Sequence, residues 1–326
     1  MAGAARHALP LKSVTDAIQL RNSLLRSFEA AAAHPQLAEE GATSAAIIGG
    51  GASGVEVAGY LADFLFPTFA RDYPQLDPER MRITLLELGD RLLPTFDPAL
   101  SRYVLDTLGR HGVEVRLGMP VTAVDADGVT LADGGRLAAH TVVWAGGVSA
   151  PPWVQHLGLP LAHGRVVTGP DLRVPGHPTT FAVGDLAAVC APDGRLYPQV
   201  AQVALQAGRH AARQIRGLTA GKATQPFRYR DKGAMAIIGR NAAVVQSGPL
   251  RLTGRLAWIA WGLLHLAYLP GTANRLSVAQ KWRWWHLTHR SSSRVLIELA
   301  DGAHTATTAP AFQVTAVGEE QPPAGM

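Results

Sequence analysis

Apolar residues recur at two periods along the first 150 positions, and their alternation predicts a layered α/β domain. Behind a capping Thr15, residues Ala17, Leu20, Leu24 and Phe28 fall at helical spacing, and residues 34–43 then read as a linker. A short apolar strand over 44–48, a glycine-rich turn and an apolar helix to about Leu65 make a βα unit. After an insertion from Pro67 to Arg82, the pattern predicts a strand over 83–87, a helix over 97–111 and a strand over 113–117. Alternating β structure follows over 121–138, with turns at Asp127-Gly128 and Asp133-Gly134-Gly135, and a strand over 141–145 closes the unit. Short strands apolar on both faces, alternating with helices, predict a doubly wound parallel sheet. Beyond Gly147 a new section carries a strand over 179–183 and a helix over 200–215, and a section of different character starts near Lys232.

Composition narrows the class. The 326 residues, 47% apolar and 17% charged, suffice for two cores of ordinary size. The 34 glycines and 22 prolines lie between periodic segments without repeats, which marks turn-rich globular protein rather than disorder. One cysteine, Cys190, excludes an intrachain disulfide and any CxxC pair, suits a reducing compartment, and is expected as a small buried hydrophobe. The first residues hold no apolar run of signal-peptide length, so export is not expected. The longest apolar stretch, Leu256 to Leu269, is broken by Gly262 and His265 and is shorter than the ~20 residues of a spanning helix. The histidines lack ligand spacing, so no metal is expected. The formal charge of +5 hides an asymmetry, because Lys232 to Ile297 holds nine Lys or Arg and no Asp or Glu. Such a block suits nucleic acid, an anionic membrane or an acidic partner.

Candidate chemistry starts at Ile47-Ile48-Gly49-Gly50-Gly51-Ala52-Ser53-Gly54-Val55-Glu56, where Gly-x-Gly-x-x-Gly stands between an expected strand and an expected helix. Gly49 permits the tight turn, Gly51 lets backbone approach a pyrophosphate, and Gly54 allows helix to pack on strand. The helix N-terminus attracts the phosphates, with Gly50, Ala52 and Ser53 in the loop. The expected fold is therefore a Rossmann-like dinucleotide-binding domain. Glu87, at the end of the next strand, is placed to accept hydrogen bonds from an adenosine ribose and to repel a 2'-phosphate, which favours NADH; Arg91 keeps NADPH open. Phe181-Ala182-Val183-Gly184-Asp185-Leu186-Ala187 sets Asp185 after a strand and a glycine, where it can meet a polyol.

The glycine unit, the ending Trp144-Ala145-Gly146-Gly147 and FAVGDLA, in this order, resemble the two-dinucleotide-domain flavoprotein reductases. In that superfamily the residue matching Asp185 binds the ribityl chain of FAD. Further runs are similar to the type II, non-proton-pumping NADH dehydrogenases over nearly the whole chain. These are Gly54-Val55-Glu56, Asp90-Arg91-Leu92-Leu93-Pro94, Val143 to Val148, Ala201-Gln202-Val203-Ala204-Leu205-Gln206, and Tyr229-Arg230-Asp231-Lys232-Gly233 with Ile238-Gly239-Arg240. The resemblance implies FAD and NAD(H) as cofactors, with Ala145, Gly146, Gly147, Gly184, Asp185 and Ala201 beside them. It also implies flavin contact at Gln202, quinone contact at Gln206, a flavin-side lysine at Lys232 and an acid near the nicotinamide at Glu56. As bare residues, amides at the spacing of Gln202 and Gln206 share one helical face and more often meet solvent, and Lys232 and Glu56 are more often surface charges.

The implied activity passes hydride from NADH to FAD and then two electrons to quinone, by an enzyme peripheral to the cytoplasmic face of the cell membrane. Trp258, Trp261, Trp282, Trp284 and Trp285, interleaved with Arg255, Arg275, Lys281, Arg283, Arg290 and Arg294, suit an amphipathic helical docking region at lipid headgroups. Nucleic acid is disfavoured, an ordinary packing hairpin is the bland alternative, and a homodimer stays open. A sulfide:quinone enzyme is disfavoured for want of paired cysteines. The family carries a second glycine motif well ahead of the first, whereas only 48 residues precede Gly49 and none forms Gly-x-Gly-x-x-Gly. The resemblance thus implies a truncated FAD domain, whose parallel sheet lacks its first strands and leaves edges unpaired. The expected divisions are 1–42, a connecting helix and linker left from the FAD domain; 43–150, the NADH domain; 151–230, the second half of the FAD domain; and 231–326, the quinone- and membrane-associated region. A non-catalytic NAD-binding, membrane-docking module is the alternative.

Overall fold

The computed structural model describes residues 1–288 and 296. In chain order it opens with α1 (Ala4–His7), β1 (Ala8–Pro10), α2 (Val14–Ala33), α3 (Gln36–Glu39), β2 (Ala45–Ile48) and α4 (Ala52–Tyr60). A π turn (Leu61–Leu65) leads into α5 (Phe66–Asp72), followed by β3 (Ile83–Leu86), α6 (Pro98–Arg110) and β4 (Val113–Arg116). A meander of β5 (Val121–Asp125), β6 (Gly128–Leu131) and β7 (Arg136–Ala138) precedes β8 (Thr141–Trp144). Five strands form one parallel sheet in the order β1-β8-β2-β3-β4. Every residue of β2 and β3 is buried, as strands covered on both faces require. From β2 the chain moves outward to β3 and β4, then returns to β8 on the other flank of β2. That reversal is the switch point at which doubly wound sheets bind ligands.

Residues 1–42 are built into this domain. β1 pairs with β8, Leu9 opposite Val143, and Leu24 and Phe28 of α2 share one core with Ile47, Val55 and Leu85. The Phe28 ring stands 4.4 Å from Phe69 and 5.5 Å from Phe66. The cap of α2 is Ser13 rather than Thr15: Ser13 Oγ accepts from the Asp16 N–H at 3.1 Å, and the Asp16 carboxyl accepts from the Ser13 N–H at 2.7 Å. Ala17, expected on the buried stripe, is exposed in the first turn. The helix after the glycine turn runs past Leu65, through the π turn and into α5, where Pro67 is the second residue.

Residues 151–230 gather around a smaller core that includes Val154, Val166, Leu172, Ala187, Ala207 and Phe227. Their strands are short: β9 (Leu161–Ala162), β10 (Arg165–Val167), β11 (Arg173–Val174), β12 (His177–Phe181) and β13 (Ala187–Ala188). α7 (Ala201–Thr219) outruns its expected end. Cys190, expected to be buried, is exposed, because its bridge to Leu196 sets it in a surface hairpin.

The last section begins with an antiparallel sheet that the hydrophobic pattern does not reveal, β14 (Ala234–Gly239), β15 (Ala242–Ser247) and β16 (Leu250–Thr253). Residues of β14 and β15, namely Ala236, Ile238, Ala242 and Val244, enter the core of the parallel-sheet domain. Gly59 makes this possible, since a Cβ there would stand 1.6 Å from the Ile238 carbonyl oxygen. A hairpin of α8 (Gly254–Tyr268) and α9 (Thr272–Thr288) follows.

Candidate dinucleotide and flavin site

The glycine turn joins β2 to α4 at the switch point. Gly49 has φ +112°, and a Cβ on it would meet the Ala145 carbonyl carbon at 2.6 Å. A Cβ on Gly54 would stand 1.8 Å from the Gly49 oxygen, so helix and turn touch backbone to backbone. A Cβ on Gly51 would meet nothing within 4 Å, and no side chain caps α4, whose first residues Ala52 and Ser53 are exposed. Open space at Gly51 and uncapped helical N–H groups fit a pyrophosphate. The Gly50 N–H donates to Glu87 Oε2, and Oε1 accepts from the Gly89 N–H at 2.7 Å. Glu87 therefore stands at the turn, on the end of β3, rather than as a loose strand-end charge. The Leu93 N–H donates to the Gly50 carbonyl at 2.9 Å, which ties the Asp90–Pro94 run to the same loop. Gly146 lies against the Trp144 ring, and Gly147, at φ +125°, has open space around it.

Glu56 lies one turn further along α4. Its Oε1 accepts from the Ile237 N–H of β14 at 3.2 Å. Burial outweighs this bond and pushes the carboxyl up to about 7.

The second group of expected residues is engaged within the chain. Lys12 Nζ stands 3.6 Å from Asp185 Oδ2 and donates to the Ser149 carbonyl at 2.9 Å, bridging the end of the nucleotide domain to the FAVGDLA turn. Gly184 has φ +74°, and the cleft beside Asp185 is lined by Arg165, Tyr197, Gln199 and Ala204. Gln202 Nε2 donates to the Gly233 carbonyl at 2.6 Å and its Oε1 accepts from the Lys232 N–H at 3.3 Å. Gln206 does the same with Arg230, at 2.9 and 3.1 Å. Each side-chain amide thus pairs with backbone as a peptide group would, and both strap residues 230–233 onto α7. Lys232 and Ala201 are exposed. Asp185 fits a polyol-binding acceptor, with Lys12 as its present partner.

The tryptophans divide differently from the sequence expectation. Trp258 packs under α8 against Ala243, Val245 and Ala257. Trp261 stacks between His265, at 4.0 Å, and Trp282, at 5.7 Å. Of the expected lipid-facing set, Trp284 is 67% exposed, and the Trp285 side chain, Arg290 and Arg294 lie outside the described residues. Helical period explains the division, since the α8 face that meets β15 carries Ala257 and Trp258, while Leu256, Ile259, Leu263, Leu264 and Tyr268 are exposed. Sequence reasoning missed Lys12, Gly59 and Asp63, which accepts the Arg240 N–H and lies 3.1 Å from His111 Nδ1. A glycine within an apolar helix was the available signal for Gly59; the other two are ordinary charges whose partners are distant in sequence.

A family profile described as pyridine nucleotide-disulphide oxidoreductase matches residues 2–208. The chain is 38% identical over 291 residues to a type II NADH:quinone oxidoreductase (NdhA) of Mycobacterium tuberculosis, covering 83% of this chain and 60% of that protein. It is 35% identical over 319 residues to a second such protein (Ndh) of that organism, covering 92% and 67%. The chain thus spans about three fifths to two thirds of the length of these relatives. The fold superposes on NDH2 of Plasmodium falciparum in complex with NADH with a TM-score of 0.79, over 89% of this chain and 76% of that one, at 18% identity. With its glycine turn at a switch point and these matches along its length, the chain belongs to the pyridine nucleotide-disulphide oxidoreductase family, on the type II NADH dehydrogenase branch.

Proposed function

We propose that the chain is the NADH-binding and membrane-facing part of an NADH:quinone oxidoreductase that pumps no protons. The glycine turn carries this reading, because its open Gly51 and uncapped helix suit the pyrophosphate of a dinucleotide. Glu87 binds the adenosine ribose, and its charge disfavours a 2'-phosphate. The loop Ala145–Gly147 flanks the nicotinamide side, and Gly184 and Asp185 bind the flavin polyol. FAD, when bound, supplies the redox chemistry between NADH and quinone. Gln202 and Gln206 hold the strap bearing Lys232 beside that cofactor, and Glu56 holds or releases a proton near neutrality.

The outer face of α8 and α9 is the docking surface, and its occupant is an anionic bilayer. Exposed Leu256, Leu263 and Leu276 are interleaved with exposed Arg255, Arg275, Lys281 and Arg283, the combination that inserts apolar groups and draws headgroups at about 1 kcal/mol per basic residue. No helix among the described residues is long and apolar enough to cross a membrane.

A second reading, a docking module that binds NADH without turnover, is favoured by one observation: Asp185 is paired with Lys12. Purified chain assayed for NADH binding, flavin absorbance, and NADH oxidation with a soluble quinone, with and without added FAD, separates the two. Binding with turnover supports the first reading, and binding alone supports the second. Absence of NADH binding overturns both.

A further inference from the structure

Residues 222–233 form neither helix nor strand, yet α7 takes up their backbone polar groups with its side chains. Gln202, Gln206, His210 and Gln214 follow one another at intervals of four and so line one face of that helix. Gln202 binds the Lys232 N–H and the Gly233 carbonyl, and Gln206 binds both groups of Arg230. Further along, His210 Nε2 lies 2.8 Å from the Gln225 carbonyl, and Gln214 Oε1 accepts from the Gln225 N–H at 2.7 Å. At all three points α7 satisfies one N–H and one carbonyl, the exchange that a neighbouring antiparallel strand would supply. His210 and Gln214 are only 7% and 9% exposed, so each must keep a polar partner. The His210 ring also meets Phe227 edge to face, with centroids 5.5 Å apart. Between the anchors, the Phe227 N–H donates to the Pro170 carbonyl at 2.7 Å and the Tyr229 N–H to Tyr197 Oη at 3.3 Å.

We propose that His210 and Gln214 are positioning residues for Lys232: they fix the far end of one polar ladder whose near end, at Gln202, holds Lys232. A carbonyl only accepts, so His210 Nε2 carries the proton of its bond. The strap thus extends back to Gln225, and its rungs act together because no strand lies alongside it. Freeing Gln225 lets the chain peel from α7 toward Arg230 and Lys232, so the ladder opens as a unit. The two residues act through the backbone of residues 225–232. Lys232 enters the chemistry as the flavin-side group of the proposed function, on which this role rests, whereas the ladder itself is measured without flavin.

Hydrogen exchange of backbone amides in the full chain, read by ¹⁵N NMR, tests the ladder. His210→Phe keeps a ring against Phe227 and loses the N–H. The Arg230 and Lys232 amides, whose own partners Gln206 and Gln202 are untouched, should then exchange about 3- to 10-fold faster, as the loss of one rung requires, while the buried amides of β2 keep their rates. His210→Gln, whose amide nitrogen takes the place of Nε2, should restore the slow exchange. Unchanged exchange at Lys232, faster exchange confined to Gln225 and its neighbours, or a Gln variant no slower than Phe overturns the proposal. A second measurement needs no variant: ring ¹⁵N shifts of the unaltered chain should show His210 protonated at Nε2, and a bare Nε2 overturns it equally. Added FAD should slow exchange at Lys232. A ladder that responds to His210→Phe while Lys232 ignores FAD upholds the positioning and overturns the flavin-side reading alone.

Discussion

The parallel-sheet domain and residues 151–230 belong to one family architecture, yet they hold their polar groups in opposite ways. At the glycine turn, the Gly49 and Gly50 N–H groups are spent on Leu86 and Glu87 to build the loop, while the first N–H groups of α4 have no side-chain cap and the space at Gly51 stays open. In the second region the groups suited to a cofactor are already partnered, Asp185 by Lys12 and both glutamine amides by the strap at 230–233. Preorganisation in the first region comes from a sheet whose central strands β2 and β3 are fully buried; the second has strands of two to five residues and a smaller core. A site with free, rigid donors is ready for its ligand, whereas one with paired groups must exchange partners to bind.

The difference can be broken most severely at its tightest glycine. Gly54→Ala drives a methyl into the Gly49 oxygen, so it should cost about 3 kcal/mol of stability and abolish NADH binding, read by thermal melting and by nucleotide fluorescence. Gly51→Ala, with nothing within 4 Å, should leave the melting temperature unchanged and weaken NADH about tenfold or more, as one blocked phosphate contact requires. Equal loss of stability in both variants would falsify the division of labour within the turn.

Glu56 gives the next largest effect. Its folded pKa of about 7 against 4.5 means that, between those values, the folded state holds a proton the unfolded chain has released. Stability therefore falls as pH rises through that window and stays lower above it. Glu56→Gln should stabilise the chain by roughly 2–3 kcal/mol at mildly alkaline pH and hardly at all near pH 4, as denaturant unfolding at the two pH values will show. Glu87→Ala should lower NADH affinity about 5- to 30-fold, the loss of a charge-assisted pair of hydrogen bonds, and raise relative tolerance of NADPH. On the hairpin, Leu263→Asp should weaken binding to anionic vesicles about tenfold or more in flotation assays while leaving NADH affinity intact. The smallest change is expected in the second region: Lys12→Met breaks a half-exposed ion pair, so stability should move by less than about 1 kcal/mol. A larger loss would make that pair a structural clasp and erase the contrast between the regions.

Much of the nucleotide domain was legible because its rules are local. The strand, glycine turn and helix at 44–65 follow from short-range pattern, as do the meander at 121–138 and the helix that became α6. β1 escaped notice because three residues carry no period. The β14–β16 sheet escaped because Ala242 to Val245 are all buried, covered on both faces, so the alternation that marks a half-exposed strand is missing. The tryptophans were read by composition as a lipid-facing set, whereas the helical period, counted from the face that meets β15, turns Trp258 inward and leucines outward.

The sequence by itself determined the doubly wound domain, the place of the dinucleotide turn and the family, because these depend on residues adjacent in the chain. Tertiary structure alone decided what Asp185, Gln202, Gln206 and Glu56 touch. Gln206 meets Arg230 at a separation of 24 residues, Gln202 meets Gly233 at 31, and Glu56 meets Ile237 at 181. No local period encodes such pairings; they arise when packing removes water from the polar groups and each must find a donor or acceptor within the fold.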